Sequence, residues 1–130
     1  SKYKNVKFLG FKNPELYYLN SSVVVVPSIW AENLSYSILE AMSYGLCVIG
    51  ANIGGIPEQI KHMETGLLFE SGDEKDFQKK LEYLTNNPKE IKRIGKNARK
   101  LVDKNFNWKK VINRYEKAYR EVIKEFKEKH

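Results

Sequence analysis

Two glutamates in the segment PSIWAENLSYSILEAMSYG (residues 27–45) have side chains suited to ligand chemistry. Glu32 and Glu40 stand eight residues apart, and neither lies in an acidic neighbourhood. Ionised carboxylates accept hydrogen bonds from hydroxyl groups. One interpretation is that the pair forms part of a binding site. The other is that Glu32 is a loop residue favoured near a helix dipole and Glu40 is a solvated surface charge. These two residues alone leave both interpretations open.

The elements around the two glutamates predict how they would be positioned. The run VVVV at 23–26 does not alternate, which predicts a parallel strand buried on both faces. A helix follows from Ser35 to Tyr44, with the Ser35 side chain as its N-cap and Gly45 as its end. LCVIG at 46–50 predicts a second buried strand, and 51–60 predict a glycine-containing turn into a short helix.

The remaining segments extend this pattern to an open α/β fold. Val6–Gly10 and residues 66–69 predict two further strands, and Pro14 opens a short helix. Three later helices are predicted at 74–84 after Asp73, at 88–104, and from Asn107 onward. The order β-α-β-α-β-α-β followed by helices predicts an open parallel sheet flanked by helices, with a helical C-terminal tail.

This order places three loops where ligands bind in such folds, beyond the carboxyl ends of the strands. The loops are 28–34, 51–57 and 10–13. The first leads into a helix N-terminus, which carries free N–H groups and suits a phosphate. Glu40 would lie about 7–8 Å further along that helix. A nucleotide sugar with its diphosphate at the helix start would then have a carboxylate on either side.

Composition and charge narrow the class of protein. The 130 residues fit one domain, and residues 88–130 hold 15 Lys or Arg against 6 Asp or Glu, a net charge of +9. Such a tail attracts nucleic acid or anionic lipid, or is simply a solvated surface. Cys47 is the only cysteine, and no signal-peptide core is evident, which predicts a reducing, cytoplasmic setting. The lack of an initial Met suggests a fragment of a longer chain.

Several motifs, taken in order, resemble a known family. PSIWAENLSYSILEAMSYGLCVIG, followed by ANIGGIPEQI and ETGLLF, is similar to the C-terminal, donor-binding half of retaining GT-B glycosyltransferases of the family 4 (group 1) type. The shared features are Glu-x7-Glu, a following Ala-Met and Gly, a Val-Ile strand and a Gly-Gly-x-Pro-Glu turn. NVKFLGF and the Phe106–Trp108 approach to the last helix also fit. The resemblance implies a partial Rossmann-like nucleotide-sugar-binding domain at 1–106 and a basic amphipathic helix at 107–130.

The resemblance also assigns roles to individual residues. Glu32 matches the catalytic glutamate near the donor sugar, and Glu40 matches the glutamate that binds ribose hydroxyls. Residues matching the segment whose N–H groups face the diphosphate are Asn33, Leu34, Ser35 and Tyr36. Further donor-binding positions are Gly10 and Phe11, beside the base, and Ser28, at the start of the loop. The turn at the site edge, where a side chain would crowd the ligand, is Gly54 and Gly55.

The implied activity is transfer of a sugar from a nucleotide-diphosphate sugar to an unknown acceptor with retention, in the hexosyltransferase class. The family generally needs no metal or other cofactor, and its members serve polysaccharide or glycolipid biosynthesis. The N-terminal domain of the family is missing from these residues, so the fragment alone is expected to be inactive. Its final helix normally crosses to that domain. Peripheral contact of the basic tail with the inner membrane surface is compatible with this activity.

Some positions depart from the pattern or leave other classes open. Asn33 and Ser35 stand where glycines are frequent in the family. Cys47 stands where proline is usual, and we expect it to act as a packing residue. Trp30 either lines the donor pocket or anchors the loop, and His62 is either a ligand or a surface residue. A non-catalytic nucleotide-binding or regulatory module on the same fold remains an alternative. A nucleic-acid-binding domain is disfavoured, because the tail aromatics recur at helical spacing.

Overall fold

The computed structural model describes residues 3–129; Ser1, Lys2 and His130 lie outside the described residues. Strands and helices alternate along the first part of the chain, and helices alone form the last part. The elements are α1 (Glu15–Leu19), β1 (Val23–Val26), α2 (Tyr36–Ser43), β2 (Cys47–Asn52), α3 (Ile56–Gln59), β3 (Leu67–Glu70), α4 (Glu74–Asn86), α5 (Pro88–Asn105) and α6 (Trp108–Lys129).

The strands form a parallel sheet in the order β1-β2-β3, as predicted for an open α/β fold. The register pairs Val23 with Cys47 and Ile49 with Leu67. The central strand, β2, is buried along its first five residues. All four valines of β1 are only half-buried, so the prediction of a strand buried on both faces is wrong in degree. Within the described sheet β1 has a neighbour on one side only, which leaves its other edge uncovered.

The predicted strand at Val6–Gly10 is not formed. The segment lies outside the sheet, and the side chains of Val6, Phe8 and Leu9 are exposed. A backbone hydrogen bond of 3.3 Å joins the Val6 N–H to the carbonyl of Tyr3 and closes a turn instead. A strand is stable only when a neighbour pairs with its backbone and covers a face, and no described strand does this here. The described sheet therefore has three strands rather than four.

Helices cover both faces of the sheet and create two apolar clusters. On one face, α2 and α3 pack against β2 through Ile38, Met42, Val48, Ile56 and Ile60. On the other face, α4 and α5 pack through Ile49, Leu67, Phe69, Leu84 and Ile94. The continuous apolar character of β2 follows from this arrangement, since both of its faces lie under helices.

The end of α2 is fixed by a Schellman motif at Gly45, as the sequence predicts. Gly45 has a φ of 74°, which suits glycine, and its N–H donates to the carbonyl of Met42 at 2.9 Å. The Leu46 N–H donates to the carbonyl of Ala41 at 3.1 Å. Gly95 of α5 approaches this motif so closely that a Cβ on Gly95 would overlap the Gly45 carbonyl oxygen. Helix α5 is therefore seated against the end of α2.

Helix α6 is long, amphipathic and largely uncovered. None of its residues is buried, and its large apolar side chains, such as Tyr115, Tyr119, Val122 and Phe126, are exposed at helical spacing. Among the described residues, no helix is long and apolar enough to cross a membrane.

Candidate functional site

The loop after β1 holds Glu32 in a defined position at the carboxyl edge of the sheet. The Ser28 hydroxyl donates to Glu32 Oε1 at 2.6 Å, and Ser28 itself is buried. The Ser71 hydroxyl, just after β3, donates to the carbonyl of Ser28 at 3.0 Å. A network that starts beyond β3 therefore orients the Glu32 carboxylate through Ser28.

The turn at Gly54 and Gly55 supports the backbone of the same loop. The Gly55 N–H donates to the carbonyl of Glu32 at 2.7 Å. A Cβ on Gly54 would lie 2.6 Å from the Glu32 carbonyl oxygen, and one on Gly55 would overlap the carbonyl oxygen of Asn33. Both glycines are thus required by the close approach of the loop that carries Glu32. The resemblance implied crowding of a ligand at this turn; the atoms that a side chain would crowd in the structure belong to that loop.

Ser35 lies at the N-cap of α2, but the predicted side-chain cap is wrong. Its side chain accepts no hydrogen bond from the first turn. Instead, Gln59 Oε1 accepts from the Ser35 N–H at 2.8 Å, and Gln59 Nε2 donates to the Ser35 carbonyl at 3.0 Å. The exposed fractions of Ser35 and Gln59 are 4% and 1%. Because its N–H is already paired, Ser35 does not present that group to a diphosphate in this structure.

The first turn of α2 nevertheless retains open donors. Across residues 3–129, no side chain accepts a hydrogen bond from the N–H groups of Tyr36 or Ser37. These groups lie at the positive end of the helix dipole and suit an anion. The Leu34 side chain, just before them, lines an apolar cavity of about 430 Å³ together with Phe106 and Tyr115. Leu34 therefore borders the apolar space between the loop and α6.

Glu40 lines a separate cleft of about 240 Å³ between α1 and α2. The Tyr18 hydroxyl donates to Glu40 Oε2 at 3.2 Å, and the Tyr18 and Tyr44 ring centroids are 5.4 Å apart. Partial burial and then the Glu40 charge raise the pKa of Tyr18, which keeps its hydroxyl a donor. Asn13 completes the polar wall, and its Oδ1 accepts from the N–H of Glu15, where α1 begins one residue after Pro14.

The structure does not join Gly10 and Phe11 to either glutamate. Gly10 has a φ of 65° and Phe11 is fully exposed. No hydrogen bond within residues 3–129 connects them to Glu32 or Glu40. Asn13, at the end of the same loop, does line the cleft with Glu40. The role of Gly10 and Phe11 beside a base stays a prediction.

Three contacts of the site were not predicted from the sequence. These are Ser71 on Ser28, Tyr18 on Glu40 and Gln59 on Ser35. Gln59 shares a helical face with Ile56 and Ile60, which predicts that its side chain is buried. No local signal identifies its partner, which lies 24 residues earlier in the chain.

Three other side chains considered in the sequence analysis make no contact with Glu32, Ser35 or Glu40 among the hydrogen bonds of residues 3–129. Trp30 is exposed and so does not anchor the loop. His62 Nδ1 accepts from the Leu68 N–H at 2.9 Å and covers the free edge of β3. Cys47 is buried, and burial raises the pKa of its thiol to about 12, consistent with a packing role. Among the described residues, no cluster of three His, Cys, Asp or Glu side chains is suited to a metal ion.

Solved structures share the arrangement of strands and helices found in this chain. A sucrose-phosphate synthase from Thermosynechococcus elongatus superimposes with a TM-score of 0.77 at 30% identity, over 85% of this chain and 27% of that one. The Anabaena protein HepE in complex with UDP-glucose superimposes with a TM-score of 0.82 at 24% identity, over 91% of this chain and 33% of that one. The fold is therefore that of the C-terminal half of GT-B glycosyltransferases, as the resemblance implied.

Sequence comparison gives the same family. The N-acetyl-alpha-D-glucosaminyl L-malate synthase of Bacillus anthracis is 32% identical over 122 residues, which are 94% of this chain and 32% of that protein. The chain thus spans about a third of the length of this relative. Residues 2–101 match the family model described as "Glycosyl transferases group 1". The chain belongs to the group 1 glycosyl transferases.

Proposed function

We propose that these residues are the donor-binding part of a longer glycosyltransferase of the hexosyltransferase class. That enzyme transfers a sugar from a nucleotide-diphosphate sugar to an acceptor with retention, without a metal, in the cytoplasm. The observation that carries the proposal is that Glu32, held by Ser28 and Gly55, stands three residues before the N-cap of α2, whose first turn is open. Glu40 lies on the same helix in a polar cleft. Complexes of the Anabaena protein HepE with UDP and with UDP-glucose support a nucleotide-sugar ligand.

The chemistry follows from the charges at this edge of the sheet. The first-turn N–H groups, at Tyr36 and Ser37, stabilise the diphosphate, whose negative charge grows as the bond to the sugar breaks. Glu32 lies beside that turn and supports the positive charge that develops on the sugar ring. The Glu40 carboxylate accepts hydrogen bonds from ribose hydroxyls. Tyr18 donates to one Glu40 oxygen and leaves the other free to accept from the nucleotide.

Titration of the full-length protein tests the proposal. UDP, GDP, ADP and their glucose conjugates are titrated by calorimetry with EDTA present, and donor hydrolysis and transfer are then measured by chromatography. We expect one nucleotide series to bind, and the anomeric configuration of the transferred sugar to be retained. Absence of binding in all series would contradict the proposal. Transfer by the isolated 130-residue chain would contradict the expected inactivity of the fragment.

Two variants separate the roles of the carboxylates. Glu40→Gln removes a charge-assisted hydrogen bond and raises the donor Kd about tenfold or more, since such bonds contribute about 1.5–3 kcal/mol. Glu32→Gln lowers kcat more than donor affinity, because its charge acts on the transition state. Glu82→Gln, on exposed α4, is the matched control and leaves both unchanged. Wild-type kinetics in both site variants would contradict the roles proposed for Glu32 and Glu40.

Two other classes predict different outcomes. A non-catalytic nucleotide-binding or regulatory module would bind a nucleotide, but the full-length protein would transfer no sugar. A nucleic-acid-binding domain would bind generic DNA with an affinity that falls steeply with salt. The exposed aromatics of α6 recur at the spacing of a packed helix face, as at Tyr115 and Tyr119, rather than forming a flat stacking platform.

The C-terminal helix contributes a surface to the longer protein. Its exposed apolar face, which includes Tyr115, Tyr119 and Val122, would pack on the N-terminal domain of the longer protein. Its lysines and arginines would then face outward and contact anionic lipid at the inner membrane surface. Sedimentation with vesicles of anionic and of neutral phospholipid tests the lipid contact in the full-length protein. Binding only to the anionic vesicles, reversed by salt, is expected; equal binding to both would refute it.

A further inference from the structure

We infer that Gln59 is a positioning residue for the donor site, which holds the loop carrying Glu32 and the start of α2 in their relative places. This inference rests on the proposed function and adds a residue to it. Gln59 touches no predicted ligand-binding side chain. It acts on the backbone of Ser35, the N-cap residue of α2.

The geometry of the contact is specific. Gln59 is 1% exposed, and both polar atoms of its side-chain amide bind one residue: Oε1 accepts from the Ser35 N–H at 2.8 Å, and Nε2 donates to the Ser35 carbonyl at 3.0 Å. The side chain thus pairs with Ser35 as the backbone of a neighbouring strand would. Two hydrogen bonds to Ser35 fix both the position and the orientation of its backbone, whereas a single bond would let the backbone rotate about that bond.

The contact lies where small shifts matter for a ligand. The Ser35 carbonyl also accepts from the Leu39 N–H at 3.3 Å, so Ser35 sets where the first open N–H groups of α2 begin. Gly55, four residues before Gln59, donates to the carbonyl of Glu32 at 2.7 Å. The segment of α3 and its preceding turn therefore holds the chain at two points, at Glu32 within the loop and at Ser35 just after it. A displacement at either end moves the carboxylate relative to the anion site.

A purely structural role makes a different prediction, and a matched pair of variants distinguishes the two. Gln59→Met keeps a similar volume, leaves the Ser35 N–H without a partner, and leaves the Ser35 carbonyl with the Leu39 N–H as its one donor. Leu84→Ala removes a side chain that is 1% exposed and packs on the other face of the sheet, away from the loop. Both lower the melting temperature. Only Gln59→Met releases the loop.

The test measures nucleotide affinity in the full-length protein, at a temperature where circular dichroism shows every variant folded. Calorimetry gives Kd for whichever of UDP, GDP and ADP binds the wild type most tightly. We expect Gln59→Met to raise Kd about tenfold or more, because the nucleotide must then order the released loop on binding. Leu84→Ala changes Kd less than about twofold. Equal Kd values in the two variants would overturn the inference while leaving the proposed function intact.

A conservative variant covers the case in which Gln59→Met does not fold. Gln59→Glu keeps an acceptor for the Ser35 N–H, but its carboxylate has no donor for the Ser35 carbonyl. Protonation returns that donor, and burial favours the protonated form. The ratio of variant to wild-type Kd should fall toward one as the pH is lowered from about 8 to about 5.5. A ratio that stays high and constant overturns the inference; a wild type that binds no nucleotide contradicts the proposed function instead.

Discussion

Gly55→Ala tests whether the approach of the turn to the Glu32 loop matters for activity. Gly55 has a φ of −84°, so its backbone accepts alanine without conformational strain. The added Cβ would overlap the Asn33 carbonyl oxygen, and would lie 2.9 Å from its carbonyl carbon and 3.2 Å from the Glu32 carbonyl oxygen. Ordinary carbon–oxygen contacts are about 3.3–3.6 Å. The Asn33 carbonyl must therefore move by roughly 1 Å, since backbone cannot rotate away as a side chain can.

That movement has two measurable consequences. Overpacking of this kind lowers the free energy of unfolding by about 1–3 kcal/mol. It also stretches the 2.7 Å bond from the Gly55 N–H to the Glu32 carbonyl and shifts the Glu32 carboxylate, which we propose to be catalytic. A misplacement of about 1 Å in an active site lowers the rate about 10²-fold. If the proposed function holds, we expect Gly55→Ala in the full-length protein to fold and to lose about two orders of magnitude in kcat/KM.

Gly72→Ala provides the control. Gly72 has a φ of 81° and no atom within 4 Å of an added Cβ, so alanine there strains the backbone by about 1–2 kcal/mol but displaces nothing. Denaturant unfolding measures stability and a coupled assay of released nucleoside diphosphate measures kcat/KM. Gly72→Ala should lose stability and retain activity. A Gly55→Ala enzyme with wild-type kcat/KM would refute the idea that this turn sets the position of Glu32.

Three further outcomes concern stability and reactivity. Gly95→Ala should lower the free energy of unfolding by about 1–3 kcal/mol in denaturant titrations, because the added Cβ would overlap the Gly45 carbonyl oxygen. This loss is expected although alanine forms helices better than glycine does. Unchanged or raised stability would contradict the close approach of the two helices. Burial of the ring and then the Lys80 charge lower the pKa of His62, so the unfolded chain binds a proton first as the pH falls. Stability should therefore fall with pH from about 6.5 down to the folded pKa, and a pH series with His62→Asn should lack this component; identical pH profiles would refute it. Cys47 should resist iodoacetamide at neutral pH in the native protein and react after unfolding, since burial raises the pKa of its thiol to about 12. Mass spectrometry follows the labelling, and rapid labelling of the native protein would contradict the burial of Cys47.

The sequence determines the parts of this protein that depend on local physics. The apolar runs at 23–26 and 46–50 do not alternate, which predicts parallel strands, and parallel strands form at Val23–Val26 and Cys47–Asn52. Gly45 ends α2, and Asp73 caps α4 by accepting from the Asp76 N–H at 2.9 Å, because these residue types satisfy helix ends with short-range bonds. The order of such elements, with the motif Glu-x7-Glu, predicts the family and the edge of the sheet that carries the site.

Only the tertiary structure decides features that need a partner distant in sequence. Val6–Gly10 has a strand-like composition, but no strand among residues 3–129 pairs with it, so it stays outside the described sheet. Ser35 has the type of an N-cap, yet Gln59 satisfies its backbone instead. Gly54 has the positive φ of a turn residue, 57°, and the backbone of Glu32 is a second constraint that the local sequence does not reveal. Residue type and spacing report on neighbours within about a turn of helix, whereas contacts 24 residues apart depend on how the chain packs.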